Sequence, residues 1–103
     1  ALGHPAIDIA GDTGHGITAS DTGVVVYAGW NEWGYGSVVV IDHGNEWQTL
    51  YAHLSQVNVG CGQAVYQGNL IGLMGCPGNC SGPHLHFEVR SGDGFVNPGN
   101  VLP

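Results

Sequence analysis

Positive charge is almost absent from this chain. Apart from six histidines, Arg90 is its single basic residue, set against eight acids, and the formal net charge is −7. Nucleic acid and anionic membranes repel a surface of that sign, so a nucleic-acid partner is excluded. Long hydrophobic runs are also lacking. No stretch approaches the ~20 apolar residues of a membrane span, so this segment is expected not to insert into a membrane. No segment carries the period of a long amphipathic helix, and Ala1-Leu2-Gly3-His4 is not expected to open a secretory leader. There is no His-Glu-x-x-His, which removes the common zinc-protease helix with its glutamate base. Repeats, linkers and low-complexity tracts are missing too.

What is present is glycine, at 19 of 103 residues, and short runs of Val, Ile, Tyr and Trp punctuated by Gly, Asn, Asp and Pro. That length suits one compact domain, and that pattern an all-β domain with many turns. A single antiparallel sheet carrying a substrate groove, spanning residues 1–103, is expected. Strands are expected at Val24–Ala28, Ser37–Asp42, Thr49–Leu54, Leu70–Met74 and His84–Val89. Shorter ones are expected at Ile7–Ala10, Gln63–Val65 and Phe95-Val96. Asp42-His43-Gly44-Asn45-Glu46-Trp47 reads as a hairpin.

The chemistry gathers in Gly82-Pro83-His84-Leu85-His86-Phe87-Glu88-Val89. Leu85, Phe87 and Val89 alternate with His84, His86 and Glu88, the period of a half-buried strand. Both imidazoles then leave one face, roughly 7 Å apart. His4-Pro5-Ala6-Ile7-Asp8 adds a histidine and a carboxylate, and Tyr51-Ala52-His53-Leu54 another histidine. Zinc takes imidazole nitrogen and carboxylate oxygen, commonly with three protein ligands and one open position. His4, Asp8 and one histidine of the 84/86 pair would supply that set. Four extended residues cover about 13 Å, so the chain must bend between His4 and Asp8, and Pro5 helps it do so. His53 and the remaining member of the pair are then candidates for proton transfer, because imidazole titrates near neutrality.

These three motifs resemble the signatures of the lysostaphin/LytM-type zinc endopeptidases, the M23 peptidases. Gly23-Val24-Val25-Val26, Gly34-Tyr35-Gly36, Val40-Ile41-Asp42-His43-Gly44-Asn45 and Val96-Asn97-Pro98 are similar as well, in the same order. The resemblance implies a zinc endopeptidase that cuts peptides of bacterial cell-wall peptidoglycan, in stem peptides or cross-bridges. It implies His4, Asp8 and His86 as zinc ligands, with His53 and His84 flanking the metal's open position as catalytic residues. It also implies an extracytoplasmic location, secreted or in the envelope, and a monomer is expected. Departures are few. Ala6 stands where Gly is usual, His15-Gly16 where Thr-Pro is common, and Cys76 and Cys80 where Ser or Thr is usual. A candidate ligand so near the first residue reads as a trimmed catalytic fragment of a longer precursor.

Other readings compete. His43, in a hairpin, and His15, in a glycine-rich loop, read as structural or surface residues. Cys76-x3-Cys80-x3-His84-x-His86 has the ligand types of a structural zinc site, but it would leave His4, Asp8 and His53 unexplained. Trp30, Trp33, Tyr35 and Trp47 could line a groove or simply populate a sheet. Of three cysteines, Cys76 and Cys80 lie across a Pro-Gly turn short enough for a disulfide, leaving Cys61 free; the alternative is that all three are reduced. A non-catalytic scaffold that regulates or binds cell-wall enzymes, and a protease acting on extracellular protein, are the rival functions.

Overall fold

The computed structural model describes residues 6–31, 35–76 and 82–91. Every element among them is a strand: β1 Ala6–Ala10, β2 Gly16–Thr18, β3 Gly23–Asn31, β4 Gly36–Gly44, β5 Trp47–Val57, β6 Ala64–Val65, β7 Leu70–Met74 and β8 His84–Ser91. The main path of the sheet runs β1-β8-β5-β4-β3-β6, and β2 and β7 extend it from the far half of β5. All pairings are antiparallel. The expected all-β fold with an antiparallel sheet is the observed one. Phe95-Val96 lies outside the described residues.

One face carries the main core. Val25, Val39, Ile41, Tyr51, Leu54, Ile71, Met74, Leu85, Phe87 and Val89 pack there. Phe87 is fully buried, and sealing such a side chain from water contributes about 1.5–3 kcal/mol. The run Val38-Val39-Val40-Ile41 does not alternate, because β4 is central and covered on both faces. Val38 and Val40 turn to the opposite side, where they meet Leu50, Ala52 and Tyr35 in a smaller apolar cluster. That second cluster is the bed on which the polar residues of β8 lie.

Turns follow local chemistry. Gly44 pairs with Trp47, and the two residues between them, Asn45 and Glu46, have φ of 53° and 65°. Two central residues with positive φ make the turn type whose twist matches a hairpin. The expected hairpin is therefore present, centred on Asn45-Glu46.

Candidate functional site

The antiparallel register of β1 and β8 sets Asp8 directly opposite His86 and Ala10 opposite His84. On the other flank of β8, β5 sets Ala52 opposite His86 and Leu50 opposite Glu88. Directly opposed residues share a face, so Asp8, His86 and Ala52 form one row across three strands. Phe87, Leu85 and Val89 pin β8 by their burial in the core, which turns His84, His86, Glu88 and Arg90 to the other side.

His53 reaches this face by a different device. Ser37 pairs with Leu54 and Val39 with Tyr51, so Ala52 and His53 together oppose Val38. This extra residue is a β-bulge. It lets Tyr51 and Leu54 both enter the core while Ala52 and His53 both face away. His53 sits at φ 63°, a left-handed conformation that costs a non-glycine residue of order 1–3 kcal/mol and needs surrounding support. The support is backbone: His53 N–H donates to Tyr35 O at 2.9 Å, and Gly75 N–H donates to His53 O at 3.0 Å. Gly75 has to be glycine for this approach, since a Cβ there would stand 2.6 Å from His53 O.

The histidines converge. The His53 ring lies 5.2 Å from that of His84 and 5.8 Å from that of His86, centroid to centroid. His84 Nδ1 is 3.1 Å from Gly82 O; a carbonyl only accepts, so Nδ1 carries the proton and Nε2 keeps a lone pair. His53 Nδ1 is buried with no hydrogen-bond partner among the described residues. Burial holds the His53 pKa below its ordinary value, and the neighbouring His84 and His86 push it the same way. The neutral form of His53 is therefore favoured. Hollows flank the cluster. One, of about 350 Å³, is lined by Asp8, Ala10, Gly82, Pro83 and His84. The other, about 220 Å³, includes Trp30, Gly36, His53 and Cys76. A larger, mostly apolar hollow lies beside Ile17, Tyr51, Met74 and Leu85, on the core side of the sheet, away from these polar groups.

His86 stands between two carboxylates. Its Nδ1 is 2.9 Å from Asp8 Oδ1, and its Nε2 is 2.8 Å from Glu88 Oε2. Glu88 is buried, which pushes its carboxyl pKa up, but hydrogen bonds from His86 and Tyr35, with Arg90, outweigh this and hold it below the ordinary value. An imidazole can be neutral between two carboxylates only if one of its nitrogens faces an oxygen without a proton. A cation held by His86 and Asp8 would relieve the clash of lone pairs. Nitrogen and carboxylate oxygen are donors that zinc accepts, so Asp8 and His86 fit a zinc site. No group of three His, Cys, Asp or Glu side chains in ligating geometry exists among the described residues. The third expected ligand, His4, lies outside them.

The structure thus brings together Asp8, His53, His84 and His86. Tyr35 and Glu88 join them; neither was read from sequence as a site residue, and Tyr35 was named only as an aromatic that could line a groove. Glu88 had a signal, since it continues the alternation of His84 and His86; the link from Tyr35 to Glu88, 53 residues apart, had none. The aromatics divide. Trp47 packs against the core and stacks on His43, Trp30 is exposed beside His53, and Trp33 lies outside the described residues. His43 bonds Thr22 O and Thr49 Oγ1 and is structural. His15 is exposed on a loop. Cys61 is an exposed free thiol; the Cys76–Cys80 pairing and the rival cysteine-histidine zinc site both depend on Cys80, outside the described residues.

An antiparallel sheet with a carboxylate and three histidines converging on one face is the architecture of a metallopeptidase-type domain. The model of peptidase family M23 matches residues 2–98, and the chain belongs to that family. It is 43% identical over 98 residues to the DD-carboxypeptidase/endopeptidase Mpg of Neisseria meningitidis, covering 95% of this chain and 22% of that protein. It is 42% identical over 101 residues to the murein hydrolase activator NlpD of Escherichia coli, covering 98% of this chain and 26% of the relative. The chain thus spans about a quarter or less of the length of these curated relatives. Among solved structures it resembles the catalytic domain of lysostaphin from Staphylococcus simulans, with a TM-score of 0.77 and 33% identity over 87% of this chain and 68% of that one. It also resembles a zinc-containing peptidase from Vibrio cholerae, with a TM-score of 0.78 and 35% identity over 86% of this chain and 27% of that one.

Proposed function

We propose that this domain is a zinc-dependent endopeptidase acting on the peptides of bacterial peptidoglycan, outside the cytoplasm. The observation that carries the reading is the convergence of Asp8, His53, His84 and His86 on one face beside two hollows. His4, Asp8 and His86 would hold the ion. Zinc, when bound there, supplies a Lewis acid that polarises the scissile carbonyl and acidifies water. His84 then accepts the proton of the attacking water at Nε2, the nitrogen left free by its bond to Gly82 O, and returns it to the departing amine. His53 works as a neutral donor. A buried N–H without a partner is rarer and costlier than a buried acceptor, so its proton belongs on Nε2 and Nδ1 keeps the lone pair. That Nε2–H can stabilise negative charge as it develops on the carbonyl oxygen. A Cys76–Cys80 disulfide would stiffen the segment leading into β8, and the domain acts as a monomer.

The test is mass spectrometry of purified peptidoglycan fragments after digestion by the zinc-loaded protein. New peptide ends that disappear on chelation are expected; an unchanged digest from protein holding a full equivalent of zinc would contradict the reading. The name of the 42% identical relative, a hydrolase activator, favours a second reading: a scaffold that stimulates other cell-wall enzymes. That reading expects no cleavage by the domain alone and faster cleavage when a separate hydrolase is added.

A further inference from the structure

Arg90, the chain's single Lys or Arg, does not face solvent alone. Its Nε donates to Glu88 Oε1 at 3.2 Å, and its Nη2 lies 3.3 Å from Tyr35 Oη. Tyr35 Oη in turn donates to Glu88 Oε2 at 2.8 Å. The same Oε2 receives His86 Nε2 at 2.8 Å. Glu88 is 5% exposed, backed by Leu50 in the small apolar cluster. Its carboxylate is therefore fixed by two donors besides His86, and it cannot swing away to water. Asp8, at the other edge of the ring, has 65% of its side chain exposed, and among the described residues it is held by no such set of donors.

We propose that Glu88, clamped by Tyr35 and Arg90, is a positioning residue for the metal site. It takes the Nε2–H of His86, and so fixes the tautomer in which Nδ1 offers its lone pair toward Asp8 and the ion. This inference rests on the proposed zinc site and goes beyond it. The asymmetry between the two carboxylates decides the assignment. The rigid, buried one suits a permanent N–H acceptor; the open one suits an exchangeable ligand. An outer carboxylate that orients a ligating histidine also raises its basicity toward metal. Tyr35 adds a second link, because its carbonyl accepts the His53 N–H at 2.9 Å. One tyrosine thus braces the metal-side histidine through its hydroxyl and the bulge histidine through its backbone.

The experiment measures zinc affinity, by chelator competition, on folded wild type, Glu88→Ala and Glu88→Gln. Removing such an outer partner typically weakens metal binding about 10–100-fold. That loss is expected for Glu88→Ala, and Glu88→Gln, whose amide oxygen can still accept Nε2–H, should recover most of it. A purely structural Glu88 would lower the melting temperature of both variants and leave the zinc affinity of the folded fraction unchanged. If Glu88→Ala does not fold, the wild type decides alone: histidine nitrogen shifts of the zinc-loaded protein should place the His86 proton on Nε2. A proton on Nδ1, or equal affinity in Glu88→Ala and wild type, overturns this inference while leaving zinc binding in place. A wild type that takes up no zinc contradicts the underlying site as well.

Discussion

His43 and His53 sit on neighbouring strands of one sheet, ten residues apart, and their rings live in opposite circumstances. His43 donates from Nδ1 to Thr22 O at 2.8 Å and meets Thr49 Oγ1 with Nε2 at 2.6 Å. Its ring stacks on Trp47 with centroids 4.2 Å apart. From Thr49 the network passes to Tyr51 Oη at 2.8 Å and on to Ser20. Every polar atom along that line has a partner, as expected of buried polar groups. His53 has its backbone tied down on both sides, yet its buried Nδ1 has no partner among the described residues. It holds a left-handed φ and faces two other imidazoles. On the proposed function, the satisfied His43 serves the fold, and His53, held at a cost, serves the chemistry.

Four expectations test that contrast, from largest effect to smallest. His86→Ala should remove zinc and abolish peptide cleavage while most of the fold survives; elemental analysis beside a cleavage assay checks it, and a full equivalent of retained zinc would refute the ligand assignment. His43→Ala should do the reverse. Losing two ring hydrogen bonds and leaving Thr49 short of a partner should cost about 1–3 kcal/mol, read by denaturant unfolding, with turnover per folded molecule unchanged. Tyr51→Phe strips the acceptor from the Ser20 N–H, bonded at 2.9 Å, and should cost about 1 kcal/mol or somewhat more with no effect on zinc content.

The smallest effect is a pH dependence. The folded Glu88 carboxyl lies below its ordinary 4.5, so the folded state favours its ionised form. Its contribution to stability is then present above about pH 4.5 and is lost as pH falls through the folded value. Melting temperatures of metal-free wild type and Glu88→Gln should converge on acidification below that point. A gap that stays constant down to pH 3 would show that the charge on Glu88 plays no part.

Much of this was legible in the chain. The strict alternation from His84 to Val89 gave β8 and its two faces, and Asn45 between two strong apolar runs gave the hairpin. β2 was not expected, because Gly16-Ile17-Thr18 is too short to carry a period and is recruited by pairing with β7. β3 runs on past Ala28 to Asn31 through Gly29, whose φ of 143° is open to glycine. The bulge was hidden for a stronger reason. In Tyr51-Ala52-His53-Leu54 a period of two puts Tyr51 and His53 on one face. The structure instead puts Tyr51 with Leu54 in the core, because both apolar side chains are buried there and the backbone absorbs the extra residue. Glu88's partners were hidden because Tyr35 reaches it only through tertiary pairing.

The central claim is that the open histidine is chemical and the satisfied one is structural, and His53→Ala tests it most directly. Zinc content and peptide cleavage are measured on the same preparation. The variant should keep its zinc and its fold while turnover falls about 10²–10⁴-fold, the usual loss on removing a group that handles protons or charge in the reaction. Cleavage at the wild-type rate by a zinc-loaded His53→Ala would contradict the account.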